Sequence, residues 1–200
     1  MSLSTSGLDT FQLANPTADG RGVLLLIFDT GVDMGIPGLQ KTSTGLPKVI
    51  DAIDFSGSNV VRCLPAKLDG GELISDNLGL RLRDIPAVAG GAESGQWFVG
   101  VMDEARYRNA SVRDFDGDGE SASLFGVALH SGPDGWRVVV DTDADTSLAD
   151  EQMVGNYRDQ RETFTFRQHD PERKAPLTFA ASIDTAQRAV SFHYDMGGHG

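Results

Sequence analysis

Residues 23–28, Val-Leu-Leu-Leu-Ile-Phe, are an apolar run with no polar interruption, and Asp29-Thr30-Gly31-Val32-Asp33 follows directly. A strand with one wet face alternates apolar and polar side chains. A run without alternation suits a strand covered on both faces, as in the middle of a parallel sheet. Such strands end at the crevice where open α/β sheets bind ligands. Asp29 therefore stands where a charge is costly unless a fixed partner satisfies it. The far end of the chain offers an imidazole for that purpose, His199 in Gly198-His199-Gly200.

At 200 residues the chain is long enough to bury roughly 70% of the surface its unfolded form exposes, which is enough for a real core. The net charge of −12 argues against nucleic-acid binding, which needs a basic surface, and fits solubility or cation binding better. Cys63 is the only cysteine, so no internal disulfide can form and secretion gains no support. Met1-Ser2-Leu3 begins a polar lead, unlike a basic-then-apolar signal peptide. No apolar stretch approaches the roughly 20 residues that span a bilayer. The expectations are a cytoplasmic protein with neither a nucleic-acid nor a membrane partner.

Along the chain, residues 1–20 read as a surface lead, 23–28 as the central strand, 34–47 as a loop and 49–55 as a second strand. Beyond Gly57 the pattern changes to short β-like runs separated by turn residues, which predicts mostly antiparallel structure. Candidate strands are 97–102, 124–130, 136–140 and 163–167. The runs 124–130 and 136–140 suggest a hairpin with a five-residue loop, and 177–183 with 189–194 a second hairpin. Helix signals are sparse, the best being 103–108 and 150–161. The fold class expected is α/β to α+β: a partial parallel-sheet core plus a β-rich, mostly antiparallel insertion.

The Asp-Thr-Gly-Val-Asp segment after an apolar strand, and the terminal Gly197-Gly198-His199-Gly200, resemble the subtilisin-like serine peptidases, the subtilases. The triad order there is Asp, His, Ser. A more detailed likeness is to the tripeptidyl peptidase II type. It rests on Asp19-Gly20-Arg21-Gly22-Val23, Pro37-Gly38-Leu39-Gln40, Lys48-Val49-Ile50-Asp51-Ala52-Ile53-Asp54, Ser56-Gly57-Ser58, Gly135-Trp136-Arg137-Val138-Val139-Val140-Asp141-Thr142 and Asn156-Tyr157-Arg158. That type carries a long insertion between its catalytic Asp and His, and here the gap is 199 minus 29, or 170 positions.

The resemblance implies that Asp29 orients the base and that His199 is the base. It further implies that residues 1–58 start the catalytic domain, 59–188 form the insertion, and 189–200 return the chain beside the first strand. The serine-bearing segment is absent, so a fragment inactive alone is expected. Peptide substrate and the rest of the parent protein are the implied partners, a second copy of the chain is left open, and no cofactor is obligatory. The rival reading is a non-catalytic β-rich module for assembly, substrate gating or calcium-dependent interaction.

Other motifs carry weaker chemistry. Asp29-Thr30-Gly31 also fits the aspartic-protease signature, but only one copy is present and Val32-Asp33 departs from it. Asp33 reads as a structural cap. Asp114, Asp116, Asp118 and Glu120 alternate as in a calcium loop with Gly117 and Gly119 between them, so a Ca²⁺ site is an expectation. Phe125 stands where an EF-hand places its bidentate glutamate, so the loop is not an EF-hand. Asp141, Asp143 and Asp145 also alternate, without the glycine. His130, His169 and His193 share no ligand spacing with Cys63, and Trp97 and Trp136 read as core anchors. Arg158, Arg161, Arg167 and Arg173 read as solvated surface.

Overall fold

The computed structural model describes residues 3–29, 31–32, 36–55, 57, 60–107, 114–167 and 177–194. In chain order the elements begin with two short helices, α1 (Leu3–Ser6) and α2 (Leu8–Ala14), then strands β1 (Val60–Arg62), β2 (Leu64–Pro65), β3 (Lys67–Asp69), β4 (Glu72–Ser75) and β5 (Leu80–Leu82). The long strand β6 (Gln96–Asp103) runs into a 3₁₀ turn at Glu104–Arg106, followed by β7 (Leu124–Gly132), β8 (Gly135–Val140) and β9 (Val154–Gly155). Helix α3 (Tyr157–Gln160) precedes β10 (Thr163–Thr165), β11 (Thr178–Asp184) and β12 (Ala189–His193).

The strands build three sheets: β2-β6-β7-β8-β9 in the middle, β1-β12-β11-β10 on one side, and β3-β4-β5 on the other. Every strand pairing is antiparallel. The middle sheet is covered on both faces. From it Phe98, Met102, Phe125, Val127, Leu129, Val138 and Val140 enter a core shared with the four-stranded sheet. The intervening Trp97, Val99, Ala128 and Val139 enter a second core with Leu73 and Leu82 of the three-stranded sheet. Side chains of a strand alternate between faces, so one strand feeds both cores and reads as a continuous apolar run. Two glycines allow the close approach this requires. A Cβ on Gly126 would lie 2.5 Å from Leu82 Cδ2, and one on Gly100 2.7 Å from Val61 Cγ1.

Aromatic rings dominate the larger core. Phe179 is fully buried, with ring centroids at 4.5 Å to Tyr194, 4.8 Å to Phe166, 5.5 Å to Phe115 and 5.6 Å to Phe164. Such pairs add about 0.5–1.5 kcal/mol each beyond their burial.

The antiparallel, β-rich character expected after residue 57 is what the structure has. The hairpins at β7–β8 and β11–β12 fall where the sequence placed them. The first is tighter than expected: Gly132 pairs with Gly135, leaving Pro133 and Asp134 as a two-residue turn. Most of the helix expected over 150–161 is replaced by β9 and the short α3, and that over 103–108 by the 3₁₀ turn, whose Asp103 carboxylate accepts the Ala105 N–H.

The parallel-sheet core is not found among the described residues. Residues 23–28 and 49–55 take no regular secondary structure. The six apolar residues of the first are 67–78% exposed, not covered on both faces. A strand exists only by its ladder, and no described strand lies beside this one. The return strand is corrected as well: β12 pairs with β1 and β11, not with residues 23–28.

Phe179→Ala should lower stability by about 3–5 kcal/mol, the usual loss for deleting a buried phenyl ring, read from urea unfolding midpoints. Leu13→Ala, at an 85% exposed position of α2, should stay within about 0.5 kcal/mol of wild type.

Candidate functional site

Asp29 ends the exposed apolar run, with Phe28 packing its ring 6.4 Å from that of Phe55. Thr30, Asp33 and His199 lie outside the described residues, and so does His169. What the structure describes is how the chain on either side is held. Val32, Val49 and Ala52 pack on Tyr157 and Ala180. The Tyr157 hydroxyl donates to the Val49 carbonyl at 3.0 Å, the Arg158 Nε–H donates to Asp51 Oδ2 at 2.9 Å, and the Ser182 hydroxyl donates to the Ala52 carbonyl at 3.4 Å. The segment after Asp29 is thereby docked on β11 and α3.

The chain leading toward His199 reaches the same place. Ser182 of β11 pairs with Ser191 of β12, and Nε2 of His193 lies 2.8 Å from Ser182 Oγ. Burial pushes the His193 imidazole below its ordinary pKa, while the Asp54 and Asp51 carboxylates pull the other way. Both motif-bearing segments thus converge on one patch of the four-stranded sheet, around Ala52, Ser182 and His193.

The acidic loops form two clusters. Carboxylate oxygens of Glu104, Asp114 and Asp116 lie within 4.8 Å of one another, as do those of Asp141, Asp143 and Asp145. Asp118 and Glu120 lie outside the first group: Asp118 Oδ1 accepts the Glu120 N–H at 2.7 Å and Oδ2 the Ser123 hydroxyl at 3.4 Å. Glu104 accepts the N–H groups of Phe115 and Ser123. Burial, and then the neighbouring Asp116 and Asp114, push its carboxyl up to about 7 against those two hydrogen bonds. Asp141 is likewise pushed up to about 7 by burial and by Asp143, Asp145 and Glu151, while it accepts the Asp145 and Thr146 N–H groups. Hard oxygen donors of this kind suit Ca²⁺. Their visible work is to tie the loop backbone.

Glu104 was missed as a member of the acidic group because its partners come ten and twelve positions later, across a turn that no spacing rule marks. Cys63 is buried in the larger core and its thiol is pushed up to about 12 by burial, so it is not a reactive thiolate. Trp97 is buried in the smaller core and Trp136 packs against the larger one. Arg158 and Arg167 are ion-paired, with Asp51 and with Asp143 and Asp150. No described helix is long and apolar enough to cross a membrane.

A neutral His193 in the fold sets a pH dependence. Its proton affinity is lower folded than unfolded, so its contribution is present above about pH 6.5 and is lost as pH falls below that value. His193→Gln should be less stable than wild type at pH 7.5, and the gap should narrow by pH 5 in denaturation midpoints. A gap that widens on acidification would show that the buried ring gains a proton more readily than the unfolded one.

No family model matches the chain. It is 54% identical over 55 residues to tripeptidyl-peptidase 2 of Oryza sativa subsp. japonica, covering 28% of this chain and 4% of that protein. It is 27% identical over 208 residues to pyrolysin of Pyrococcus furiosus, covering 91% of this chain and 14% of that one. The crystal structure of tripeptidyl peptidase 2 superposes with a TM-score of 0.59 over 96% of this chain and 19% of that one, at 18% identity. The chain therefore spans less than a fifth of each of these proteins.

Proposed function

Since the chain is of the tripeptidyl peptidase II type of subtilisin-like peptidase, we propose that it supplies two members of a serine-peptidase triad. Asp29 orients the base and His199 is the base, and the nucleophilic serine is supplied by a part of the parent enzyme beyond these residues. The reading rests on one structural observation above all. The segment following Asp29 and the strand preceding His199 are tied to the same patch of the four-stranded sheet through Ala52, Ser182 and His193.

In this mechanism the Asp29 carboxylate accepts the Nδ1–H of His199 and holds one tautomer. That leaves Nε2 to take the serine hydroxyl proton, and the carboxylate then stabilises the imidazolium formed as the serine oxygen attacks the peptide carbonyl. The imidazolium returns its proton to the leaving amine, and water releases the acyl group from the serine. Gly198 and Gly200 have no Cβ, which would permit close backbone approach around the base. No cofactor takes part. The apolar run before Asp29 is covered by neighbouring strands of the parent, and this chain by itself does not hydrolyse peptides.

A second reading is favoured by the self-contained cores of residues 60–194, which need none of the residues before β1 to close. On that reading this β-rich part is a module for assembly, substrate gating or calcium-dependent interaction. The Glu104, Asp114 and Asp116 carboxylates would be the ligands in the last case. Both roles fit within one parent protein.

The parent enzyme should be labelled by a serine-directed phosphonate, and the 200-residue chain should not. In the parent, Asp29→Asn should reduce kcat by about 10⁴-fold through loss of the correct tautomer, with circular dichroism unchanged. Turnover that survives this substitution would remove Asp29 from the mechanism.

A further inference from the structure

At the seam between residues 36–55 and the β-rich part lies a pocket of about 270 Å³, lined among others by Lys41, Pro47, Tyr157, Arg161 and Thr163. Its lining holds two cations and no carboxylate. That is unusual for this chain, in which 29 acidic residues face 17 lysines and arginines. Arg21, Lys67, Arg81, Arg83, Arg106, Arg137, Arg158 and Arg167 each meet a carboxylate. Lys41 and Arg161 meet none among the described residues; Lys48, Arg62 and Arg188 also lack one, but Lys48 donates to the Gly38 carbonyl, Arg62 to Gln187, and Arg188 lies over the Phe98 ring.

The Arg161 guanidinium is held in place before any ligand arrives, and so is the backbone that carries Lys41. Arg161 caps α3 in the left-handed conformation, with φ of 57°. Its Nη1 donates to the Tyr157 carbonyl at 2.7 Å and to that of Arg158, and its guanidinium carbon sits 5.5 Å from the Tyr157 ring centroid. These contacts use a single nitrogen of the fork, so the Nε and Nη2 donors remain to be matched. The Tyr157 ring is itself pinned by its hydrogen bond to Val49. Across the pocket, Lys41 pairs with Pro47 in an isolated bridge that shapes its turn, and the turn is closed by the Leu46 N–H donating to Thr42 Oγ1 at 3.1 Å. Thr163 adds a hydroxyl to the lining.

We propose that this pocket binds a small oxyanion, a phosphate or a carboxylate, between Lys41 and Arg161. A guanidinium fork and a point-charge ammonium facing one space match the several acceptor oxygens of such a group. The ligand would bridge the segment that follows Asp29 and the helix on which that segment is docked. It would tighten the seam without touching the reacting groups. The proposal does not depend on the triad assignment, because it concerns other residues and is read on the chain without peptidase activity.

The test is calorimetric titration of the full chain with inorganic phosphate, against sodium chloride at matched ionic strength. A parallel arm uses acetyl-trialanine with a free or an amidated carboxyl group. Saturable binding of phosphate, or of the free-acid but not the amidated peptide, is expected, and the arm that responds identifies the source of the oxyanion. Lys41→Glu should weaken that binding at least tenfold. Arg161→Lys, which keeps the charge and loses the fork, should weaken it less. Lys67→Glu, at a remote lysine paired with Asp69, should leave it unchanged. Circular dichroism establishes that each variant is folded, and Lys41→Met serves if Lys41→Glu is not. Absence of saturable binding in both arms, or wild-type affinity in the Lys41 variant, overturns the proposal.

Discussion

The organisation of the β-rich part follows from one constraint: the sheet β2-β6-β7-β8-β9 has no free face. Its strands must satisfy two cores at once, so Phe98 and Met102 of β6 point one way while Trp97 and Val99 point the other. The side sheets come close enough to close both cores where the middle strands carry glycine, at Gly100 and Gly126. The four-stranded sheet is thereby fixed against the larger core. Its outer patch around Ala180, Ser182 and His193 is the surface on which the segment after Asp29 rests.

This geometry explains what could and could not be read from residue order. Turn chemistry between β-branched runs located the β7–β8 and β11–β12 hairpins, because local pairing is encoded locally. The pairing of β1 with β12 joins residues more than a hundred positions apart and leaves no local trace. Residues 67–82, with short strands in which buried or half-buried positions alternate with half-buried or exposed ones, lack the apolar runs that mark a covered strand. Continuous apolar character was a sound sign of burial on both faces for β6, β7 and β8, although their sheet is antiparallel. The same sign at residues 23–28 named a covered strand for which these residues hold no partner. Of the acidic cluster, the closeness of Asp114 and Asp116 was legible from motif spacing. Glu104, Lys41 and Arg161 were not, because each acquires its meaning from a residue brought near only by the fold.

The exposed run at 23–28 carries an energetic implication. Covering a large aliphatic or aromatic side chain contributes about 1.5–3 kcal/mol, so covering this run amounts to on the order of 10 kcal/mol, comparable to the whole stability of a domain. Phe55, 80% exposed, extends the same apolar surface through its contact with Phe28. On the proposed function the strands that cover this surface belong to the catalytic domain of the parent. Docking of those strands and organisation of the catalytic centre would then be one event.

The carboxylates divide according to what satisfies them. Glu104 and Asp141 are buried, and backbone N–H groups of their own loops hold them in place. Burial still raises both to about 7, because two or so neutral donors do not replace the hydration of a charge. A triad carboxylate faces the opposite requirement. It must remain ionised while dry, and a partner that becomes cationic during the reaction serves that end better than fixed amides do. Asp29 sits on the exposed segment and not in either core, so its surroundings become dry only when the apolar run before it is covered. On the proposed function, an orienting role for Asp29 would therefore be conditional on the same covering strands that the run at 23–28 demands.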